Sequence, residues 1–321
     1  MYRTINQKTL DQALTLLNAG QVIAIPTETV YGLAADASQI NAVKKIFQIK
    51  GRPENHPLIV HIQDASQLEK WAVDIPEYVK KLTTAFWPGP LALILKKAKH
   101  VNDIVTGGQK TIALRAPNHP IAQSLLKALG GGLAAPSANT FGKISPSLAS
   151  HVKKDLGPQL KMIIDGGPCS IGIESTIIAC FPNHIELLRP GKITADEIHG
   201  ITGILPTPAS KTISQAPGTL DKHYAPRTPL SLFSQNNLNS LLETIIQENK
   251  PTTILSFKMP KKMARNIHWI RLPEDIDAFT HHFYALLHQA DQLDTTQLYL
   301  EKVPNTPQWD AVRNRIERAI T

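Results

Sequence analysis

Between Gly203 and Pro229 the chain reads GILPTPASKTISQAPGTLDKHYAPRTP. Pro206, Pro208, Pro217, Pro226 and Pro229 each fix φ and remove a backbone donor, so neither a helix nor a central strand can run through it. A stretch of that length is a linker, a lid or a functional strap rather than a passive connection. It splits 321 residues into a larger and a smaller part, in line with a prior of about two domains. The boundaries read as a first domain over residues 1–202, a proline-rich linker over 203–229 and a second domain over 230–321.

Before the linker, apolar runs alternate with helical periodicity. Leu10, Ala13, Leu14, Leu16 and Leu17 share one helix face, and Asn18-Ala19-Gly20 ends that helix. Strands are predicted at Val22–Ile25, Leu58–Ile62, Leu91–Leu95, Thr111–Leu114, Gly132–Ala135, Met162–Ile164, Thr176–Cys180 and Ile185–Leu188. Helices fall around Val43–Phe47 and near Ile75–Ala85, Pro120–Leu129 and Ser147–Leu156. Such a mixture describes an α/β sheet domain. After the linker, strands at 230–233, 252–257, 267–271 and 297–300 alternate with helices at 238–246, 278–293 and 309–320. This is the pattern of a small Rossmann-like three-layer unit. It lacks G-x-G-x-x-G, so no dinucleotide is expected there.

Composition narrows the classes. No apolar run approaches the roughly 20 residues a membrane span needs, and MYRTINQKTL at the start has no signal-peptide core. Cys169 and Cys180 form no CxxC, which fits free thiols in a reducing, cytoplasmic setting. The histidines show no HExxH or HxH spacing, so no metal ligands are assigned. A formal net charge of +8 lies mostly in the first 200 residues and favours an anionic ligand, nucleotide or nucleic acid.

Several segments carry chemistry. Pro26-Thr27-Glu28-Thr29-Val30-Tyr31-Gly32-Leu33 places hydroxyls and a carboxylate directly after a buried strand, as a ligand loop or an ordinary Ser/Thr turn. Lys50-Gly51-Arg52-Pro53-Glu54-Asn55-His56-Pro57 offers a point charge and a planar fork suited to phosphate, or else a solvated helix end. His61 at a strand end is either a ligand contact or a satisfied core histidine. Thr111, Ala113 and Arg115 share a strand face, and a buried Arg115 needs an anion, a carbonyl or an internal ion pair. Ala134–Gly142 is rich in small and polar residues that let backbone N–H groups approach a ligand, and Ser145-Pro146-Ser147 opens a helix. Glycine-rich turns surround Glu174 and Ser175, and Arg189 ends a strand. Lys50, Arg52, Arg115 and Arg189, with Thr29, Thr111, Ser137, Ser145 and Ser175 as neutral donors, suit a triphosphate and a small carboxylated substrate. No Walker, kinase or G-x-S-x-G motif is present, so positioning and charge stabilisation are the expected chemistry.

As a set, PTETVYGLAADA, KGRPENHPLIVHI, FWPGPLALIL, TIALRAP, APSANTFGKISPS, GIESTII, LRPG and APGTLDKHYAP resemble, in this order, the long form of the threonylcarbamoyl-AMP synthase family. The resemblance implies a YrdC-like twisted mixed sheet with helices, followed by the small C-terminal domain. It implies a nucleotidyltransferase that makes threonylcarbamoyl-AMP and pyrophosphate from L-threonine, bicarbonate and ATP with Mg²⁺, for threonylcarbamoyladenosine in tRNA. Carried over from the family, Thr29, His61, Arg115, Ala135 and Ser175 would surround L-threonine. Lys50, Arg52, Thr111, Ser137, Asn139, Ser145 and Arg189 would hold ATP, with Lys50 and Arg52 as the catalytic pair. His223 or Tyr224 would reach back over the nucleotide. The family pattern has Asn just before the second proline, where this chain has His56 after Asn55, so either side chain is a candidate for ATP. A downstream tRNA threonylcarbamoyl-transfer enzyme and weak tRNA binding are the partners implied, and no membrane. The competing classes are a non-catalytic RNA-binding module and another carbamoyl transferase on the same fold. The first is opposed by the lack of an aromatic stacking platform, the second by the added C-terminal domain.

Overall fold

A computed structural model describes residues 3–209, 223–260 and 264–320. Residues 210–222, the middle of the predicted linker, lie outside the described residues. The chain forms two compact units, Met1–Phe141 with Ser145–Thr219, and Gly142–Ile144 with Leu220–Thr321.

The first unit is built on a sheet of nine strands. The first six are β1 (Ile23–Ile25), β2 (Gly32–Asp36), β3 (Ile59–His61), β4 (Leu91–Lys96), β5 (Thr111–Arg115) and β6 (Leu133–Ala134). Then come β7 (Thr176–Cys180), β8 (Ile185–Arg189) and β9 (Thr207–Pro208). Their order is β1-β2-β6-β3-β5-β4-β7-β8-β9, with the pairs β3/β5, β4/β7 and β8/β9 parallel and the other pairs antiparallel. Strands buried on both faces need apolar residues at every position, and β4 supplies them in Leu91, Ala92, Leu93, Ile94 and Leu95. The helix Ile40–Lys50 packs Val43, Ile46 and Phe47 into the main core with Leu33, Val60, Leu93 and Leu114. On another cluster, the helices Gln7–Asn18 and Pro120–Leu129 meet Ile23, Ile25 and Leu133.

Three expectations are corrected. Met162–Ile164 is not a strand: it makes one parallel bridge, Ile163 with Ala24. The segment after β1 is a hairpin connection, because Gly32 returns as β2 opposite Ile25. Its tyrosine pairs outward too, Tyr31 N–H donating to the Pro146 carbonyl at 2.8 Å. Ser145 and Ser147 cap no helix; the helix is Ala149–Leu156, and Leu148 at its N-cap gives no side-chain bond. Ser145 is held elsewhere, as described below.

The second unit carries β10 (Leu230–Phe233), β11 (Thr252–Ser256), β12 (Ile267–Arg271) and β13 (Gln297–Glu301), all parallel in the order β10-β13-β11-β12. The crossovers from β10 to β11 and from β12 to β13 run in opposite directions. Right-handed connections then place the helices Leu238–Glu248 and Ile276–Ala290 on opposite faces, which is the expected three-layer plan. Leu238, Leu241 and Leu242 pack on Phe233, Ile254 and Ile267, while Phe279, Phe283 and Leu287 bury the other helix.

Leu114, fully buried on β5, supports the residue that follows it in the site. Leu114→Ala is expected to lower the unfolding free energy by about 2–5 kcal/mol through the cavity it leaves. Urea denaturation of the two proteins checks this.

Candidate active site

Arg115 ends β5 in register with His61, which ends the parallel strand β3. The carboxyl ends of parallel strands are where open α/β sheets gather ligands. The Arg115 guanidinium is buried and held on three sides. Nε donates to the Gly89 carbonyl at 3.1 Å, Nη1 donates to Thr29 Oγ1 at 2.9 Å, and Nη2 lies 2.7 Å from Glu28 Oε1. The internal ion pair that the sequence left open is therefore present, and it sits within the candidate site. Thr29 Oγ1 is 2.9 Å from Thr27 Oγ1, and Thr27 donates to the Val30 carbonyl at 2.6 Å.

His61 is buried beside this group, and its Nδ1 has no hydrogen-bond partner among the described residues. Burial, reinforced by the Arg115 charge, pushes its pKa well below the usual histidine value, so the ring is neutral at pH 7. Ala135 lies just past β6, its N–H bonded to the Ile59 carbonyl at 3.0 Å. Thr176 N–H bonds Pro90 O at 3.0 Å, next to the Gly89 carbonyl that receives Arg115. That register draws Ser175 toward the same cluster. Arg189, from the end of β8, donates through Nε to Ser175 O at 3.0 Å and through Nη2 to Ser175 Oγ at 3.2 Å.

A second group surrounds Lys50. Gly51, at φ 62°, turns the chain out of the helix just after it. Lys50 does not reach solvent as a helix-end cation: its Nζ is buried and donates to the carbonyls of Ser137 at 2.5 Å and Asn139 at 2.6 Å. The Phe141 N–H in turn donates to Lys50 O at 2.8 Å. Burial first, and the nearby Arg52 charge second, lower the ammonium pKa well below its usual value. Arg52 donates to Pro57 O at 2.9 Å and stacks 5.4 Å over the Phe141 ring. His56 meets that ring edge-on at 5.5 Å, and partial burial with the Arg52 charge lowers its pKa. Asp155 pins the loop, taking bonds from Thr140 N at 2.7 Å and Thr140 Oγ1 at 2.8 Å. Asn139 Nδ2 donates to Thr140 O at 2.8 Å. Ser145 Oγ donates to Glu174 Oε1 at 2.6 Å. The two groups are stitched together by the 26–33 segment, since Gly32 bridges Ser137 and Ala138 N–H donates to Tyr31 O at 2.8 Å.

One expected residue of the first unit, Thr111, lies apart. Thr111 starts β5, four residues before Arg115, a separation of about 13 Å along an extended strand. His223 and Tyr224 belong to the second unit. There, His223 N–H donates to Arg318 O at 2.9 Å, and Tyr224, at φ 68°, lies 5.6 Å from the Arg315 guanidinium carbon. Glu28, Thr27, Glu174, Asp155, Phe141 and the Gly89 carbonyl were not singled out from sequence as site residues. For Glu28 a signal existed: a buried arginine on an apolar strand requires a counter-charge, and Glu28 stands beside Thr29 after a fully buried strand. Among the described residues, no group of three or more His, Cys, Asp or Glu is placed to hold a metal ion.

Residues 15–191 match the Sua5/YciO/YrdC family model, described as telomere recombination, and residues 193–320 match the threonylcarbamoyl-AMP synthase C-terminal domain. The chain belongs to the threonylcarbamoyl-AMP synthase family, in its long form. A threonylcarbamoyl-AMP synthase from Bacillus subtilis is 38% identical over 325 residues, covering 98% of this chain and 93% of the relative. One from Pyrococcus abyssi is 36% identical, covering 96% and 92%. The crystal structure of P. abyssi Sua5 complexed with L-threonine superposes with a TM-score of 0.90 at 34% identity, over 99% of this chain and 97% of that one. E. coli YciO aligns with 59% of this chain at a TM-score of 0.52 and 28% identity. The family and the mixed α/β architecture were thus both legible in the ordered motifs. No helix among the described residues is long and apolar enough to cross a membrane.

Burial lowers the His119 pKa to about 4, against a smaller opposing pull from Glu28. Its Nδ1 accepts the Ile121 N–H at 3.2 Å, a bond that protonation at that atom would remove. The unfolded chain therefore binds a proton that the folded ring refuses. Stability from this group is complete above about pH 6.5 and falls as pH drops toward 4. The expected slope is about 1.4 kcal/mol per pH unit, with His61 adding in the same direction. Urea melts across that range are expected to show a shallower fall for His119→Asn than for the parent.

Proposed function

We infer that this chain is an L-threonylcarbamoyladenylate synthase, converting L-threonine, bicarbonate and ATP to threonylcarbamoyl-AMP and pyrophosphate. The observation that carries the reading is the pair of buried, pre-bonded cationic groups, Arg115 and Lys50, joined by one segment within a family match over nearly the whole chain. Threonine's amine takes up bicarbonate with loss of water to give a carbamate. A carbamate oxygen then attacks the α-phosphorus of ATP, and pyrophosphate leaves. The product supplies the threonylcarbamoyl group for adenosine in tRNA and passes to a transfer enzyme that acts on tRNA.

In this reading Arg115 receives the threonine carboxylate through the N–H groups not already committed, and its anchors hold the fork at a fixed angle. Neutral His61, Ala135 and Ser175 complete that side. Lys50 has two of three ammonium protons bound to loop carbonyls. The third is directed to a phosphate oxygen, and an arriving triphosphate restores favour to the charged form that burial opposes. Arg52, Arg189, Ser137, Asn139, Ser145 and His56 contribute to the nucleotide side, with Thr111, His223 and Tyr224 as further expected contacts. Mg²⁺ would come with ATP rather than on a protein carboxylate cluster, and would supply charge neutralisation to the leaving pyrophosphate. The carbamate and its mixed anhydride with phosphate hydrolyse readily, so burial of the site protects them from water. Free thiols at Cys169 and Cys180 suit a cytoplasmic location.

The test is pyrophosphate release by purified protein with MgATP, adding or withholding L-threonine and bicarbonate. Release that requires both is expected, and release indifferent to both would overturn the reading. Arg115→Ala is expected to raise the threonine KM by roughly a hundredfold or more while leaving the ATP KM near its parent value. Lys50→Met should lower kcat by roughly 10²–10³.

A further inference from the structure

We infer that Asp155 is a positioning residue for Lys50, acting through the single peptide group that joins Asn139 to Thr140. The inference rests on the reading of the Lys50 side as the nucleotide site, and it deepens that reading by assigning what aims the ammonium.

The C=O of Asn139 and the N–H of Thr140 are two ends of one planar group, and in its trans form they point in opposite directions. Asn139 O accepts from Lys50 Nζ at 2.6 Å, and Thr140 N donates to Asp155 Oδ2 at 2.7 Å. One peptide plane is thus clamped between an ammonium and a carboxylate. Both bonds are charge-assisted, and each polarises the group in the sense that strengthens the other. Asp155 Oδ1 takes the Thr140 hydroxyl at 2.8 Å as well, so two bonds to one residue fix the carboxylate. Turning that peptide over would present an N–H to Lys50 and a carbonyl to Asp155. Two repulsive contacts would replace two attractive ones, so Asp155 decides that a carbonyl faces Lys50.

Its own helix does not explain Asp155. It lies at the end of Ala149–Leu156 beside Lys153 and Lys154, where the helix dipole favours the lysines and opposes an acid. The effect on Lys50 is directional. An ammonium carries three protons in tetrahedral directions, and Lys50 commits one to Ser137 O and one to Asn139 O. Two fixed directions determine the third. Without the Asn139 carbonyl, Nζ turns about its bond to Cε and the remaining N–H loses its aim. Burial and then Arg52 oppose the charge on Lys50, while the Asp155 charge favours it. Asp155 is exposed, so solvent screens that charge and the peptide carries most of its influence.

The experiment is calorimetric titration of the full-length protein with the magnesium complex of α,β-methylene-ATP, which cannot release pyrophosphate, and separately with L-threonine. Asp155→Ala is expected to weaken the nucleotide analogue by about tenfold, the loss of a charge-assisted bond, and to leave L-threonine within about twofold. Asp155→Leu repeats the test where Asp155→Ala does not fold. Asp155→Asn can accept the Thr140 N–H and donate to the Thr140 hydroxyl, so it should stay within about twofold of the unaltered protein. In a Lys50→Met background the Asp155→Ala change should cost less than about twofold, because the group it acts through is gone. Additive effects of the two substitutions, or equal weakening of both ligands by Asp155→Ala, would overturn the inference and leave Asp155 as a general support of the loop. Failure of the unaltered protein to bind the nucleotide analogue would instead overturn the functional reading, and this inference with it.

Discussion

The buried contact between Glu28 and Arg115 is the constraint around which the first unit is arranged. An arginine on a central strand is tolerated only when its charge and its donors are met inside the protein. Glu28 meets the charge, Thr29 and the Gly89 carbonyl each take one donor, and each comes from a different part of the chain than β5. Removing one partner from such a group strands the other, at a cost of about 3–5 kcal/mol. The same contact gives the hairpin connection between β1 and β2 a fixed conformation. From there Tyr31 and Gly32 carry the order onward to the loop that receives Lys50. One electrostatic requirement thus links the amino-acid side of the site to its nucleotide side.

Lys50 shows the complementary device. Its ammonium closes the end of a helix onto two carbonyls of a loop, and Phe141 answers with a backbone bond in the other direction. The loop following Ala135 has little regular structure, yet Lys50, Asp155 and Gly32 hold it from three sides. Rigid placement of backbone and cations before a ligand arrives is what charge stabilisation requires.

Local chemistry was the part readable from sequence. Helix faces, proline breaks and continuous apolar runs located β3, β4, β5, β7 and β8 and the main helices, because these depend on neighbours within a few residues. Thr29, His61 and Arg115 were candidates because polar groups at or just after the ends of buried strands are either ligand contacts or internally satisfied, two readings that the sequence alone left open. Met162–Ile164 misled because three apolar residues satisfy a strand pattern without saying whether a partner edge is present. Ser145 looked like a cap for the same reason: its choice of Glu174 over a helix start is a tertiary matter. Glu28 needed the opposite inference, from Arg115 back to its counter-charge, and nothing local says which carboxylate answers. Whether the 203–229 segment serves as a strap turns on residues 210–222, which lie outside the described part of the chain.

The strand order has a consequence for how the molecule is made. Ala35 pairs with Ala134 and Leu91 with Thr176, while Arg189 arrives at the end of β8. Four of the eight neighbouring pairs, β2/β6, β6/β3, β3/β5 and β4/β7, therefore join strands distant along the chain, a topology whose folding is slow because long loops close before their contacts are rewarded. On a ribosome adding about 5–20 residues per second, β2 and β3 emerge several seconds before β6, the strand that pairs with both. The β1/β2 hairpin has its inner pairing early, but its open edge and β3 must wait, their apolar residues uncovered, until β6 is synthesised. Birth of this protein is thus a period of exposure to aggregation, and chaperone capture of the nascent first unit follows from its wiring.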